Sequence, residues 1–296
     1  MPHPILAIGG ATVDRTYLCT HPPSLGTSNP VTSSRSFGGV ARNVAESLGR
    51  LGASVRLISA IGEDEAGRAL SSDLAACRID MRGLLTIANK PTAEYTAAFW
   101  QGELFAGFAD MDIFDQLDPD RVSERLPRTT TEWLVFADCN LPAATLEMLI
   151  ARKTMRLAAD AVSLAKSERL PANLDGLEVL FLNRDQAAHL GGIDHILARG
   201  CRATVLTQGA GGVTIHDGAS PTHLPAPAVP IANVSGAGDA LIAGTLLGLS
   251  EDRPLREAVR LGLAAAALAL QTTSTVPVDL SREKLEAALQ GLNDAC

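Results

Sequence analysis

Asp239 is the residue best placed in this sequence to move a proton. It closes the stretch Asn233, Val234, Ser235, Gly236, Ala237, Gly238, Asp239, which follows a passage punctuated by Pro221, Pro225, Pro227 and Pro230. The largely apolar segment from Ala240 to Leu247 comes next and is too long for a typical strand, so a helix is expected to begin at the glycines. Glycines there leave backbone N–H groups uncovered, and the helix dipole adds about half a positive charge, which together suit an anion. Two accounts of Asp239 fit this stretch equally. It is a first-turn acid that stabilises the dipole by about 0.3–1 kcal/mol, or it is a general base beside an anion hole, taking the proton of a hydroxyl that attacks phosphorus.

A second constellation lies near the other end of the chain. Asp14 follows the apolar run Ile5–Ile8 and the pair Gly9-Gly10, where a strand meets a turn. Gly38 and Gly39 open a helical pattern with apolar Val40, Val44, Leu48 and Leu51, and Asn43 stands about one turn in. In open α/β sheets ligands bind at the carboxyl ends of strands, so an acid and a glycine pair at such ends can meet a substrate. Alone, Asp14 reads equally as a turn residue, and Gly38-Gly39 as a plain joint between loop and helix.

The elements that must position these groups follow an α/β rhythm. Val55–Gly62 reads as a strand and Asp64–Ala76 as a helix; strand-like runs recur at Trp133–Ala137, Arg156–Ala161, Glu178–Leu182 and Ala203–Thr207, and the glycine turn Gly209–Gly212 precedes a hairpin. Polar tips follow several of them, including Asp138-Cys139-Asn140 and Asn183-Arg184-Asp185-Gln186. The tail is helical from Pro254 to Gln271 and from Ser281 to Leu289. Residues Thr20–Ser36 read as extended or loop structure. Between Leu84 and Phe108 the pattern changes to strands at Leu84–Ala88, Ala93–Trp100 and Glu103–Phe108. These define a small β lobe, roughly 12–36 and 84–110, inserted in one domain spanning 1–296. From it Tyr95, with Glu94 and Asp110, either reaches a substrate or is a solvated strand residue.

Composition narrows the functions. The chain has 296 residues, 46% hydrophobic and 20% charged, which supports a folded interior and argues against disorder. A formal net charge of −8 argues against nucleic acid as a partner. Cys19, Cys77, Cys139, Cys201 and Cys296 are widely spaced with no Cys-x-x-Cys pair, as expected of reduced thiols in a cytoplasmic protein. The N-terminus lacks a secretory pattern, and the run Leu261–Leu270 is about half the ~20 residues of a membrane span. The histidines, His189 and His195 among them, show no metal-ligand spacing. Gly9-Gly10 lacks the further glycines of a dinucleotide fold.

The order of motifs, Gly38-Gly39 with Asn43 and then Gly236-Ala237-Gly238-Asp239, resembles the ribokinase-like family of sugar and nucleoside kinases over nearly the whole chain. Asn233 in place of the family's commoner first Asp, Phe37–Asn43, Ala137–Asn140 and Ser28-Asn29-Pro30 are most similar to its pseudouridine kinase branch. The resemblance implies a largely parallel central sheet with helices on both faces and a small β lid. It also implies ATP-dependent phosphorylation of a primary hydroxyl, here the ribose 5′-hydroxyl of pseudouridine. Other sugar or nucleoside kinase activity, or a non-catalytic nucleoside sensor, are the alternatives. By resemblance Asp239 is the base, and Gly236, Ala237 and Gly238 are the anion hole. Asp14, Gly38, Gly39 and Asn43 hold ribose hydroxyls, with Thr12, Tyr95 and Asn140 nearby. Asn183, Thr207, Gly209 and Gly212 meet the nucleotide, and Ala265, Ala266 and Thr272 close the adenine pocket. Magnesium is expected with ATP, although Gln186 stands where the family has a glutamate that acts on the magnesium site, leaving Asp185 to compensate. Potassium, which binds near the anion hole in many members, is a further cofactor the resemblance allows, although Asn233 in place of the acid weakens that inference. A homodimer through the lid is expected.

Overall fold

In the computed structural model residues 2–294 are described, and all elements named here lie within them. Strand β1 (Ile5–Ile8) is wholly buried, as its unbroken apolar run requires when both faces are covered. The chain leaves the main sheet for β2 (Thr12–Cys19) and β3 (Val31–Gly38), then returns through helix α1 (Val40–Arg50) to β4 (Val55–Gly62). Helix α2 (Glu65–Ala76) starts where the Asp64 carboxylate accepts the Gly67 N–H at 2.7 Å, and leads to β5 (Asp80–Ile87). A second excursion forms β6 (Glu94–Trp100) and β7 (Glu103–Asp110), then a 3₁₀ turn at Asp112–Gln116 and α3 (Pro119–Ser123). Alternation resumes with β8 (Leu134–Asp138), α4 (Ala143–Ala151), β9 (Arg156–Asp160), α5 (Leu164–Ser167), β10 (Leu177–Asn183), α6 (Arg184–His189) and α7 (Ile193–Ala198). Strands β11 (Thr204–Thr207), β12 (Val213–His216) and β13 (Thr222–Leu224) precede α8 (Ala237–Ser250), α9 (Leu255–Leu270) and α10 (Arg282–Asp294).

Nine strands form one sheet in the order β13-β12-β11-β10-β9-β8-β1-β4-β5, parallel from β11 to β5 and antiparallel only at β12 and β13. Alternation along β1 sends Ile5 and Ala7 into a core shared with α1, α8 and α9, and Leu6 and Ile8 into a core shared with α3, α4 and α7. Helices therefore cover both faces. The other four strands form a second sheet, β3-β2-β6-β7, in which β2 and β6 run parallel and the other pairs antiparallel. This small sheet is the lid.

One expected boundary is corrected. Leu84–Ile87, assigned to the lobe from sequence, belongs to β5 and pairs parallel to β4 at the edge of the large sheet. Helix α2 makes the crossover that a parallel pair requires. Gly83 allows the close approach, since a Cβ there would come within 2.6 Å of Ile58 and of the Leu57 carbonyl. Within Thr20–Ser36, read as extended or loop structure, the extended part is β3, which begins at Val31. Cys296 lies outside the described residues, and among the described residues Cys19, Cys77, Cys139 and Cys201 form no disulfide. Among the described residues no helix is long and apolar enough to cross a membrane.

Candidate active site

The central strands β1 and β8 end side by side, and Asp138 joins their tips. Its Oδ2 accepts the N–H groups of Gly10 and Ala41, both at 2.9 Å, and its Oδ1 accepts that of Asn140 at 2.9 Å. One fully buried carboxylate thus ties two strand ends to the N-terminus of α1. Burial pushes its pKa up while the three N–H donors pull it down. Gly39, at φ 93°, brings α1 so close to this tip that a Cβ would run into the Gly10 carbonyl.

Helices α1 and α8 meet over the sheet edge, and there Asn43 Nδ2 donates to Asp239 Oδ2 at 2.7 Å. The two signature motifs, 196 residues apart, are in contact. Gly236 caps α8 in the left-handed region, at φ 80° and ψ −7°, with the Thr275 carbonyl where a Cβ would stand. The first helical bond runs from the Ala240 N–H to the Gly236 carbonyl at 2.8 Å, so the N–H groups of Gly238 and Asp239 precede the helical ladder. The Ala237 N–H makes only a long 3.4 Å bond to the Val234 carbonyl. Burial raises the Asp239 pKa to about 7; the Asn43 bond opposes the rise, and the charges of Asp138 and Asp14 add to it.

On the lid side Asp14 is half-buried, and its carboxyl pKa is raised by burial against a hydrogen bond from the Thr12 hydroxyl at 2.8 Å. Thr12, expected near the substrate, therefore spends its proton on orienting Asp14. Gly38 is the register partner of Thr12, and a Cβ on it would collide with the Asp14 carboxylate. Tyr95 is the register partner of Asp14 and shares its face of the lid, with its ring lying over Gly107. Asn140 is only 5% exposed and is built into the strand-tip network, with its carbonyl accepting from Arg169 Nη1 at 2.6 Å.

Beside the start of α8 a cavity of about 540 Å³ is lined by Thr207, Gly209, Gly212, Leu263, Ala266 and Gly238, as well as by the loop from Ala226 to Val234. Two residues expected there lie elsewhere. Ala265 packs against Gly244 in the core, because successive helical residues point about 100° apart and only its neighbour Ala266 can face the cavity. Thr272 lies just past α9, where its hydroxyl donates to the Ala269 and Ser274 carbonyls at 3.2 and 3.1 Å. A smaller cavity of about 180 Å³ joins Asp239 and Gly238 to Asp160, Asn183, Gln186 and Thr207.

Gln186 is 5% exposed, and its side-chain oxygen accepts the Asn183 N–H at 2.8 Å while the Asn183 side chain accepts the Gln186 N–H at 2.9 Å. This capping box engages the oxygen a metal would want. Asp185 is exposed on α6, away from the walls of that cavity. Asp160 faces it instead. Burial raises the Asp160 pKa to about 8, with the charge of Asp239 adding to the rise, so two carboxylates face one cavity. That donor set fits a divalent cation. Asn233 Oδ1 accepts the Ser235 N–H at 3.0 Å and Nδ2 donates to the Thr273 carbonyl at 3.1 Å.

Sequence reasoning left Asp138 and Asp160 without roles, although each ends an apolar strand and the rule of polar strand tips applies to both. It also passed over Lys166, half-buried at the same sheet edge, whose ammonium has no hydrogen-bond or ion-pair partner among the described residues. Burial lowers the Lys166 pKa, opposed by the charges of Asp138, Asp115 and Asp112.

Residues 4–281 match the pfkB family carbohydrate kinase model. The pseudouridine kinase of Escherichia coli strain K12 is 26% identical over 292 residues, covering 94% of this chain and 93% of that protein. A carbohydrate kinase from Agrobacterium tumefaciens superposes with a TM-score of 0.84 at 33% identity, covering 97% of each chain. Arabidopsis thaliana ribokinase, solved with ribose and ATP, superposes with a TM-score of 0.82 at 19% identity, covering 98% of this chain and 99% of that one. With the signature residues in contact across a ribokinase-like α/β fold, the chain belongs to the pfkB family of carbohydrate kinases.

Proposed function

We propose that this kinase transfers the γ-phosphoryl group of ATP to the ribose 5′-hydroxyl of pseudouridine, with Asp239 as the base. The observation that carries the reaction is the Asp239 carboxylate, held by Asn43 at 2.7 Å beside the unladdered N–H groups at the start of α8. The nucleoside lies between Asp14, the backbone at Gly38 and Gly39, and Asn43, with its 5′-hydroxyl toward Asp239. ATP occupies the larger cavity, its adenine against Leu263 and Ala266 and its terminal phosphate at the Gly236–Asp239 turn. Asp239 takes the hydroxyl proton as the oxygen attacks, and the N–H groups of Gly238 and Asp239 hold the charge on the phosphoryl oxygens. Magnesium bound with ATP supplies charge neutralisation, and Asp160 is the side chain that would hold it.

The narrower substrate rests on the Escherichia coli relative and on polar groups suited to a uracil ring. Lys166, whose ammonium has no hydrogen-bond or ion-pair partner among the described residues, offers a donor to a ring carbonyl. A second reading, a kinase of ribose or another sugar or nucleoside, is favoured by the likeness to the Agrobacterium tumefaciens carbohydrate kinase. The proposal includes a homodimer through the lid, whose strand β7 leaves Leu104 and Phe108 53% and 67% exposed. Comparing kcat/KM for pseudouridine, uridine, adenosine, ribose and fructose separates the readings. Pseudouridine is expected to lead uridine by about tenfold or more, since the two differ at a ring N–H that one polar side chain can read. Equal use of uridine, or preference for a free sugar, would remove the narrower substrate and leave a kinase of the same family.

A further inference from the structure

Arg42 is 4% exposed and lies between the lid and the floor of the cleft. Its Nη2 pairs with Glu46 at 2.6 Å and Asp73 at 2.5 Å. Its Nη1 donates to the Phe37 carbonyl, near the end of lid strand β3, at 3.2 Å and to Asn43 Oδ1 at 3.0 Å. The guanidinium also stands 5.9 Å from the centre of the Phe37 ring, and its buried Nε has no hydrogen-bond partner among the described residues. Glu46 and Asp73, with Cys77, have the spacing of a metal cluster, but the guanidinium already sits on both carboxylates.

Stability alone does not account for this arrangement. A buried charge with an unsatisfied N–H is costly, and apolar residues of similar volume commonly serve a core as well or better. What an apolar side chain cannot do is set the sense of the neighbouring amide. The two orientations of an asparagine amide have nearly the same shape and differ only in which end donates. With Asn43 Oδ1 accepting from Arg42, its Nδ2 is directed at Asp239. The reversed amide would set oxygen against the Asp239 carboxylate and N–H against the guanidinium. The bond to the Phe37 carbonyl ties the same guanidinium to the lid.

We propose that Arg42 is a positioning residue, which locks the Asn43 amide so that it donates to Asp239 and joins the seating of lid strand β3 to the orientation of that carboxylate. The proposal rests on Asp239 being the base, and it adds a residue that acts through Asn43 without touching substrate.

A double-mutant cycle tests it, using R42M, N43A and the pair, with R42K as the conservative variant and ATP with the best nucleoside acceptor as substrates. R42M is expected to lower kcat about 10–100-fold while nucleoside KM changes by about threefold or less. R42K keeps the charge without the planar fork and is expected to recover part of kcat. In the N43A background, adding R42M is expected to change kcat by about threefold or less, because the amide through which Arg42 acts is gone. Additive losses would overturn the proposal, as would an R42M enzyme with wild-type kcat. Should R42M fail to fold by circular dichroism, the same cycle run with R42K distinguishes coupled from additive losses in the same way. Asp239→Asn is measured in parallel: a fully active D239N enzyme removes the base reading, whereas an inactive one leaves the cycle to test Arg42 alone.

Discussion

The floor and the lid of the cleft present carboxylates by opposite means. On the floor, Asp138 is fully buried and bonded to three backbone N–H groups, and Asp239 is seated against Asn43 at a helix start. On the lid, Asp14 leans on a single hydroxyl, from a strand whose neighbour β3 is exposed over most of its length. Burial and backbone bonding make the floor rigid before any ligand arrives. The lid has few buried contacts to hold it, so its groups are seated by the ligand as much as by the fold. Floor residues should therefore govern turnover and folding, and lid residues should govern affinity.

The largest consequence falls on Asp239. Asp239→Asn keeps the shape and the contact with Asn43 but cannot accept a proton, and it is expected to lower kcat by about 10²–10⁴-fold while nucleoside binding by calorimetry stays within about threefold. With Asp239 as the proposed base, the pKa of about 7 predicts a pH dependence in the wild type, because only an ionised carboxylate can take a proton. kcat/KM should fall about tenfold per pH unit below that value and level off above it. A flat profile between pH 5 and 8, or a turnover in D239N close to wild type, would move the base elsewhere.

A paired substitution separates floor from lid directly. Asp138→Ala strands three buried N–H groups at the junction of β1, β8 and α1, at a cost on the order of 3 kcal/mol or more. A fall in Tm of about 5–10 °C is expected. Asp14→Ala should behave otherwise. Burial raises its carboxyl pKa in the folded chain, so the stability it contributes is present below its unfolded pKa and is lost as pH rises through the folded one. In its ionised form Asp14 is therefore a cost to folding. Its removal should leave Tm unchanged or raised while nucleoside KM rises about 10–100-fold. Equal thermal losses in both variants would erase the distinction between the two regions.

How far these regions could be read from sequence follows from what each depends on. The α/β rhythm, the glycine-opened helices and the polar strand tips are local patterns, and they lead to one sheet edge, whereas the hydrogen bond from Asn43 to Asp239 is visible only in the fold. Orientation is another matter. Asp138 and Asp160 are both acids after an apolar strand, yet one turns inward to collect three amides and the other faces a cavity, and only the packing of α1 against β1 separates them. Ala265 and Ala266 are identical in type, and the phase of α9 alone decides which one a nucleotide would touch. Gln186 reads as a neutralised acid, but its oxygen is engaged because it lies three residues after an asparagine that caps a helix. Leu84–Ile87 reads as hairpin because apolar alternation is the same at the edge of either sheet.

A smaller effect is expected at the loop beneath the phosphate site, where the question is whether the floor is built from the chain's own groups. Asn233 holds the Ser235 N–H with its oxygen and the Thr273 carbonyl with its amide, and the Thr275 carbonyl abuts Gly236 at the start of α8. Since the Ser235 N–H can only donate and the Thr273 carbonyl can only accept, the position needs both ends of an amide. A carboxylate would keep the first bond but would face the carbonyl with oxygen, and a cation would have to come between them. Replacing potassium with tetramethylammonium in the assay should therefore change wild-type kcat by about twofold or less, and potassium should leave the wild-type Tm unmoved. Asn233→Asp should lose about tenfold without potassium and recover when it is added, and potassium should raise its Tm in the absence of substrate. A wild-type enzyme that needs potassium would mean that the amide does not stand in for the ion, and that the floor, like the lid, is completed only by what binds to it.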